Sequence, residues 1–265
     1  MDPVFLLPLI SLAACCVLMT ITFFIGKAIN NFSIVDMAWS FNFLVIAGII
    51  WLMTDGFEPR KAIVCGLLSL WALRLGIYLG ARIFSHINRE EGRYIQLRKD
   101  WAANLNTKMF GFYQMQAGSN VFLAIPHFIT AQNMHPELYP LEYIGAAIWL
   151  LGIAGEGIAD HQLSRFKKDP ANKDRVCDKG LWYYSRHPNY FFQLTLWVGI
   201  ILFSINTPWG WLSLAGGLSI AYLLFRVTGI PMTEEQALRS KGAAYKRYQQ
   251  TTSMIVPWKK LKEAR

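Results

Sequence analysis

Apolar residues run almost unbroken from Val4 to Ile25 and recur in six further blocks, with polar connectors between them. The blocks lie at about 4–25, 34–53, 62–82, 110–131, 141–159, 190–205 and 209–225. Most approach the roughly 20 residues a helix needs to cross a hydrocarbon layer. The pattern predicts an all-α polytopic membrane protein with seven transmembrane helices, forming a single integral-membrane domain over 1–265 with a polar tail at 233–265. Thr54–Pro59 and Asn206–Pro208 read as turns. The first block lacks a basic leader, so a retained span is expected rather than a signal peptide. No internal repeat or low-complexity segment interrupts the layout.

Composition supports that class. Of the 265 residues 54% are hydrophobic and only 16% charged, against about 25% charged in soluble domains. The net charge of +9 comes from Lys and Arg in the connectors after spans three and five and in the tail. The loops after spans two, four and six contribute just Arg60 and Lys61. Seven crossings put all the basic segments on one side, so the N-terminus is expected outside and the C-terminus in the cytoplasm. This explains the charge without nucleic acid, and none is expected as a partner. Cys15, Cys16, Cys65 and Cys177 form no CxxC, so neither a disulfide framework nor a zinc site is indicated.

Chemistry is then sought in polar residues that a bilayer should have excluded. Arg74, Tyr78 and Arg82 follow at intervals of four and share one face of the third span. A charge at membrane depth faces a partner or a wet cavity, and Asp36, near the start of span two, is the expected partner of Arg74. Gln114, Gln116, Asn120 and His127 in the fourth span either line a cavity or join helices by hydrogen bonds.

After span five, Glu156 and Asp160 stand four apart, and a continuing helix carries Ser164 and Lys167 onto much the same side. Such a stripe suits a ligand with both hydroxyls and phosphates, or serves as a solvated helix end with snorkelling lysines. Gly152, Gly155 and Gly157 do not make a dinucleotide fingerprint after a strand, and no Walker loop, nucleophile elbow or HExxH is present. In an apolar helix these glycines suit close packing. Further on, Gly180-Leu-Trp-Tyr-Tyr-Ser-Arg-His-Pro-Asn-Tyr-Phe-Phe192 joins a basic segment to the sixth span. Pro188 favours a helix starting there, so the free N–H groups at Asn189 and Tyr190 face the same place as Arg186 and His187. That mouth favours an anion; the aromatics by themselves also suit a membrane-interface anchor.

The block Asp160-His-Gln-Leu-Ser-Arg-Phe-Lys167, with Gly180–Gln193, resembles the C-terminal domain of the steroid 5α-reductase family, above all its bacterial multi-spanning branch. Asn88-Arg-Glu-Glu-Gly-Arg-Tyr94 and Ser33-Ile-Val-Asp-Met-Ala-Trp39 are similar to the same branch. The resemblance implies an NADPH-dependent oxidoreductase that delivers hydride to the conjugated C=C of a 3-oxo-4-ene steroid or similar lipid enone. It places Asp160, Lys167, Asn189 and Arg175 at the cofactor; Glu156, Tyr184, Arg186, His187 and Glu235 complete the expected cofactor set. Asp36, Tyr78 and Arg74 form the expected catalytic set, since a desolvated carboxyl or phenol can hydrogen-bond the carbonyl. The chain departs from animal members in having His187-Pro188 for a small pair, Gln193 for Glu, Glu156 for Asn and Lys167 for Arg. The family's Gln-Glu pair on span two is not visible, and Asp36 is the nearest acid.

A second resemblance competes with the first. Integral-membrane methyltransferases of the isoprenylcysteine and phospholipid type share an Arg-His-Pro-x-Tyr motif with a distal Glu-Glu. This chain has Arg186-His-Pro-Asn-Tyr190 and Glu234-Glu235, and that reading implies S-adenosylmethionine. On either reading the expected setting is an integral, multi-pass membrane protein, in the cytoplasmic membrane of a bacterium or the endoplasmic reticulum of a eukaryote. It meets a lipophilic substrate in the bilayer, and a monomer is expected.

Overall fold

The computed structural model describes residues 3–227 and 229–261, which are helical with no strand among them. The helices are α1 (Pro3–Ala28), α2 (Ile34–Met53), α3 (Glu58–Phe84), α4 (Gly92–Asp100), α5 (Leu105–Leu123), α6 (Ile125–Ala131), α7 (Pro140–Lys168), α8 (Leu181–Tyr184), α9 (Pro188–Ser204), α10 (Ser213–Tyr222) and α11 (Ile230–Thr251). Five stretches are long and apolar enough to cross a membrane: Leu6–Ala28, Ile34–Met53, Glu58–Phe84, Pro140–Lys168 and Gly210–Thr251. The molecule is an integral, multi-pass membrane protein. Within the last stretch the apolar part is α10 and the π-helical turn Leu223–Val227. α11 carries Glu234, Glu235, Arg239, Lys241, Lys246 and Arg247, too many charges for hydrocarbon.

The two other expected spans take a different form. The fourth is broken: α5 ends at Leu123 and α6 restarts at Ile125. Pro126 cannot donate to the carbonyl four residues back and its ring crowds that turn. The sixth is α9, of 17 residues. The polar tail, with no element foreseen in it, forms the 22-residue α11.

Contacts cluster the chain into two units. One runs through Leu138 and takes in Thr207–Leu212; the other holds Tyr139–Asn206 and the chain from Ser213 on. In the first, α2 packs on α1 and α3, and α1 also packs on α5. In the second, α7 and α9 form the most extensive pair. Their closeness depends on glycine: a Cβ at Gly145 would stand 2.6 Å from the Gly199 carbonyl, one at Gly152 would stand 2.6 Å from Leu196 N, and one at Gly199 would meet Trp149 N at 2.6 Å. Backbone cannot give way as a side-chain end can, so the expectation of close packing holds at Gly152; at Gly155 a Cβ would stand 2.2 Å from the Phe192 ring.

Candidate functional site

In the second unit the antiparallel fit of α7 and α9 brings the end of one to the start of the other. Asn189 Nδ2 donates to Asp160 Oδ1 at 3.4 Å. α8 is set between them by Gly180, whose φ of 60° is a conformation other residues rarely adopt. A Cβ there would also stand 2.6 Å from Gln162 Oε1, the atom that accepts from Leu181 N at 2.9 Å. Trp182 Nε1 donates to the Ala159 carbonyl at 2.9 Å, which fixes the turn that follows.

That turn is tied to the tail. Arg186 Nε donates to Glu234 Oε1 at 2.7 Å, and its Nη1 reaches the carbonyls of Gln249 and Thr252 at 2.8 and 2.9 Å. His187 Nε2 lies 3.2 Å from the same Glu234 oxygen, and Gln249 Nε2 donates to Glu234 Oε2 at 2.8 Å. Burial alone would raise the Glu234 pKa. The bonds from His187, Arg186 and Gln249 outweigh it and hold the carboxyl down to about 2. The backbone continues the tie, since Arg186 N donates to Ser253 O at 2.8 Å and Trp258 N to Tyr184 O at 2.9 Å.

Between α7, the 169–177 connector, the Arg-His-Pro turn and α11 lies a cavity of about 570 Å³, within the usual size of small-molecule sites. Trp182, Tyr245, Tyr248 and Phe166 give it aromatic walls. Lys167, Lys168, Lys173, Arg175, Arg186 and Lys241 face it, against a single acid, Asp169. Lys168, Lys173, Arg175 and Lys241 have no ion-pair partner among the described residues. Asn189 Oδ1 is buried and accepts no hydrogen bond among the described residues.

Five of the expected cofactor residues line this space: Lys167, Arg175, Arg186, His187 and Asn189. Arg186 does so with its guanidinium already committed to Glu234 and two carbonyls, so it builds the wall rather than offering a free cation. Asp160 is buried behind Asn189. Glu156, also buried, and the exposed Tyr184 stand outside the lining. Glu235 pairs with Arg239 at 2.5 Å on the exposed side of α11; its neighbour Glu234 holds the site. The cavity contributions of Gln236, Lys241, Tyr245 and Tyr248 were not foreseen from sequence. A helical reading of the tail would have put Ala237 and Lys241, four residues apart, on one face, but the break at Gly242 ends that register before Tyr245 and Tyr248.

In the first unit the expected Asp36–Arg74 pair is not what forms. Asp36 Oδ1 accepts from the Tyr94 hydroxyl of α4 at 2.6 Å. The register of α2 on α3 explains it. A Cβ at Gly80 would meet Met37 Sδ at 3.0 Å, and one at Gly76 would meet the Phe41 ring at 2.5 Å. The same register sets Asp36 beside Ala81 and Arg74 beside Phe43, about 10 Å further along the axis. Tyr78 lies one helical turn from Arg74. The segments 33–39 and 88–94 meet in one knot: Glu91 N donates to Ser33 Oγ at 2.9 Å, Phe32 N to Glu90 Oε1 at 2.6 Å, and Arg98 Nε pairs with Glu90 at 2.5 Å. In the fourth expected span, Asn120 accepts from Asn42 at 2.8 Å and donates to Trp39 O at 2.9 Å, and Gln114 donates to Thr20 at 3.2 Å. Those amides join helices. Gln116 lends its carbonyl to Ser119, and His127 is buried.

A family model described as "Protein of unknown function (DUF1295)" matches residues 22–252, a range that includes the candidate residues of both units. No curated protein and no solved structure matches the chain.

Proposed function

We propose that this chain, which belongs to the DUF1295 family, is an NADPH-dependent reductase of a lipid enone, such as a 3-oxo-4-ene steroid. The observation that carries the reading is the cavity of the second unit. It gathers four cations without ion-pair partners among the described residues, aromatic walls and one buried, unsatisfied amide oxygen. NADPH presents a pyrophosphate, a further phosphate, two flat rings and a carboxamide, and the lining fits each kind of group. Lys173, Arg175 and Lys168 suit the phosphates, Asn189 Oδ1 suits the carboxamide N–H, and Trp182 or Tyr245 suits a ring. When bound, the dinucleotide supplies the hydride.

The chain's own part is to polarise the carbonyl and keep water out. The Asp36–Tyr94 pair holds a proton on a fully buried phenol and can offer it to a carbonyl oxygen. Hydride would go to the β-carbon, and solvent would supply the proton that the α-carbon takes up as the enol becomes the saturated ketone. Tyr94 thus joins Tyr78 as a candidate for that role. In the same reading α5–α6 and α9 complete seven crossings, with the N-terminus outside and α11 in the cytoplasm.

A second reading is favoured by one observation. Arg186 and His187 meet Glu234, joining the two motif pieces shared with the integral-membrane methyltransferases. Calorimetry on detergent-purified protein separates the two. NADPH should give heat that weakens with salt, and S-adenosylmethionine little; the reverse preference overturns the reductase in favour of the methyltransferase.

A further inference from the structure

Tyr183 and Tyr184 of α8 are exposed, as are Val256, Trp258 and Leu261 of the segment after α11, and none of them lines the cavity. Val256, Trp258 and Leu261 keep 57%, 68% and 66% of their surface open. The segment is nevertheless held. Ser185 Oγ donates to the Ile255 carbonyl at 2.8 Å, Trp258 N to the Tyr184 carbonyl at 2.9 Å, and Leu261 N to the Thr251 carbonyl at 2.9 Å. Ile255, between two exposed neighbours, is buried. The Tyr183 and Tyr184 rings stand edge to face, 5.0 Å apart, and the Lys260 ammonium lies 4.6 Å from the Tyr183 ring. Chain ties therefore turn these apolar side chains outward, an arrangement that costs free energy in water.

The level of α8 along α7 bears on what covers them. Trp182 Nε1 donates to the Ala159 carbonyl of α7, and Leu181 N to Gln162 Oε1, both at 2.9 Å. α7 is long and apolar enough to cross a membrane. Its exposed side chains are apolar at Leu150, Leu151 and Ile158, and charged at Arg165, Lys167 and Lys168. Its hydrocarbon-facing surface thus ends within about a turn of the residues that hold α8. Tyr and Trp favour that level, where the ring meets hydrocarbon and the polar edge meets water. Charge adds a choice of lipid. Asp178 is the sole acid in 177–187 and 252–261, and Lys260 pairs with it at 3.4 Å. Lys179 and Lys259 are exposed, with no ion-pair partner among the described residues. We propose that α8 and the 252–261 segment form an interfacial foot that docks on anionic phospholipid, with Val256 and Trp258 entering the acyl boundary and Lys179 and Lys259 meeting the phosphates. The foot is independent of what the cavity binds.

The test places a nitroxide on Val256→Cys in a Cys16→Ser background, the other three cysteines being buried. The full-length protein is studied in phosphatidylcholine nanodiscs with and without phosphatidylglycerol. Oxygen should reach the label more readily than a water-soluble nickel chelate does, and phosphatidylglycerol should strengthen that bias. Lys179→Gln combined with Lys259→Gln should lower the ratio of lipid-facing to water-facing label in the anionic discs by about fivefold per lysine, and leave the neutral discs unchanged. Trp258→Ser should turn the label toward water in both. A label reached mainly by the nickel chelate, with Trp258 and both lysines in place, overturns the foot. A lipid-facing label indifferent to phosphatidylglycerol and to both lysines overturns its choice of anionic lipid. Dipolar broadening that disappears on dilution with unlabelled protein would give the face to a second copy of this chain and overturn the lipid assignment.

Discussion

The two units treat their polar residues in opposite ways. In the first, charged and amide groups close on one another: Asp36 with Tyr94, Glu90 with Arg98, Glu91 with Arg82, Asn42 with Asn120. In the second, Arg186 and Glu234 close on each other, yet Lys168, Lys173, Arg175 and Lys241 face a cavity without ion-pair partners among the described residues. Satisfied groups specify packing or hold a proton at a fixed place, since leaving one buried partner alone is costly. Unpaired cations around a concave surface keep their electrostatic free energy for a ligand. On the proposed reading the first unit would serve substrate activation and the second anion binding.

The largest expected effect tests the first half of that contrast. Asp36→Asn and Tyr94→Phe should each lower turnover of an enone by about 10²–10⁴-fold, the range for a positioned proton donor, while NADPH affinity changes little. Wild-type turnover in both variants would make the pair a packing device and erase the functional contrast. Tyr78→Phe should be milder, because Tyr94 and not Tyr78 is the phenol that donates to Asp36.

Arg186→Ala comes next. It leaves Glu234 without its cation in a partly buried site, a change that costs about 3–5 kcal/mol in comparable pairs. Thermal unfolding in detergent should show the loss, and limited proteolysis should release the α11 segment. A variant of unchanged stability that only loses NADPH affinity would return Arg186 to the role of ligand cation.

Lys173→Gln combined with Arg175→Gln should weaken NADPH by about 10- to 100-fold, at one charge-assisted contact each, and flatten its salt dependence. Unfolding should be almost unaffected, because neither side chain is in an ion pair among the described residues. Titrations at two salt concentrations decide it; an unchanged salt slope would place the phosphates elsewhere.

The smallest effect is a pH dependence. The folded Glu234 carboxyl is held to about 2, below the roughly 4.3 of an unfolded glutamate. Its stabilising contribution is therefore complete above about 4.3 and is lost as pH falls toward the folded value. Acid unfolding of Glu234→Gln should be less steep across that interval than wild type. Identical acid curves would show that the Arg186–Glu234 tie contributes no net stability.

Much of the layout was legible because a bilayer imposes one strong rule on sequence. The blocks at 34–53 and 141–159 fall inside α2 and α7, and Gly145 and Gly152 of α7 pack against backbone as an apolar helix suggests. Lys167, Arg175, His187 and Asn189 also reach the cavity expected of them. The break at Pro126 was visible as a residue but was overridden by the apolar run around it. α11 was missed because its buried positions are few and polar residues dominate its composition.

By itself the sequence determined that the chain is helical and membrane-embedded and which segments carry its basic charge, since these follow from local runs of side chains. It also marked Arg186, Glu234 and Asp36 as residues of interest. Only the tertiary structure decided their partners. The register of α2 on α3 carries Asp36 away from Arg74 and leaves it to Tyr94, 58 positions away in sequence. The fold of the tail gives Arg186 to Glu234, 48 positions away in sequence. Such pairings depend on helix register and long-range packing, and spacing along the chain does not encode either.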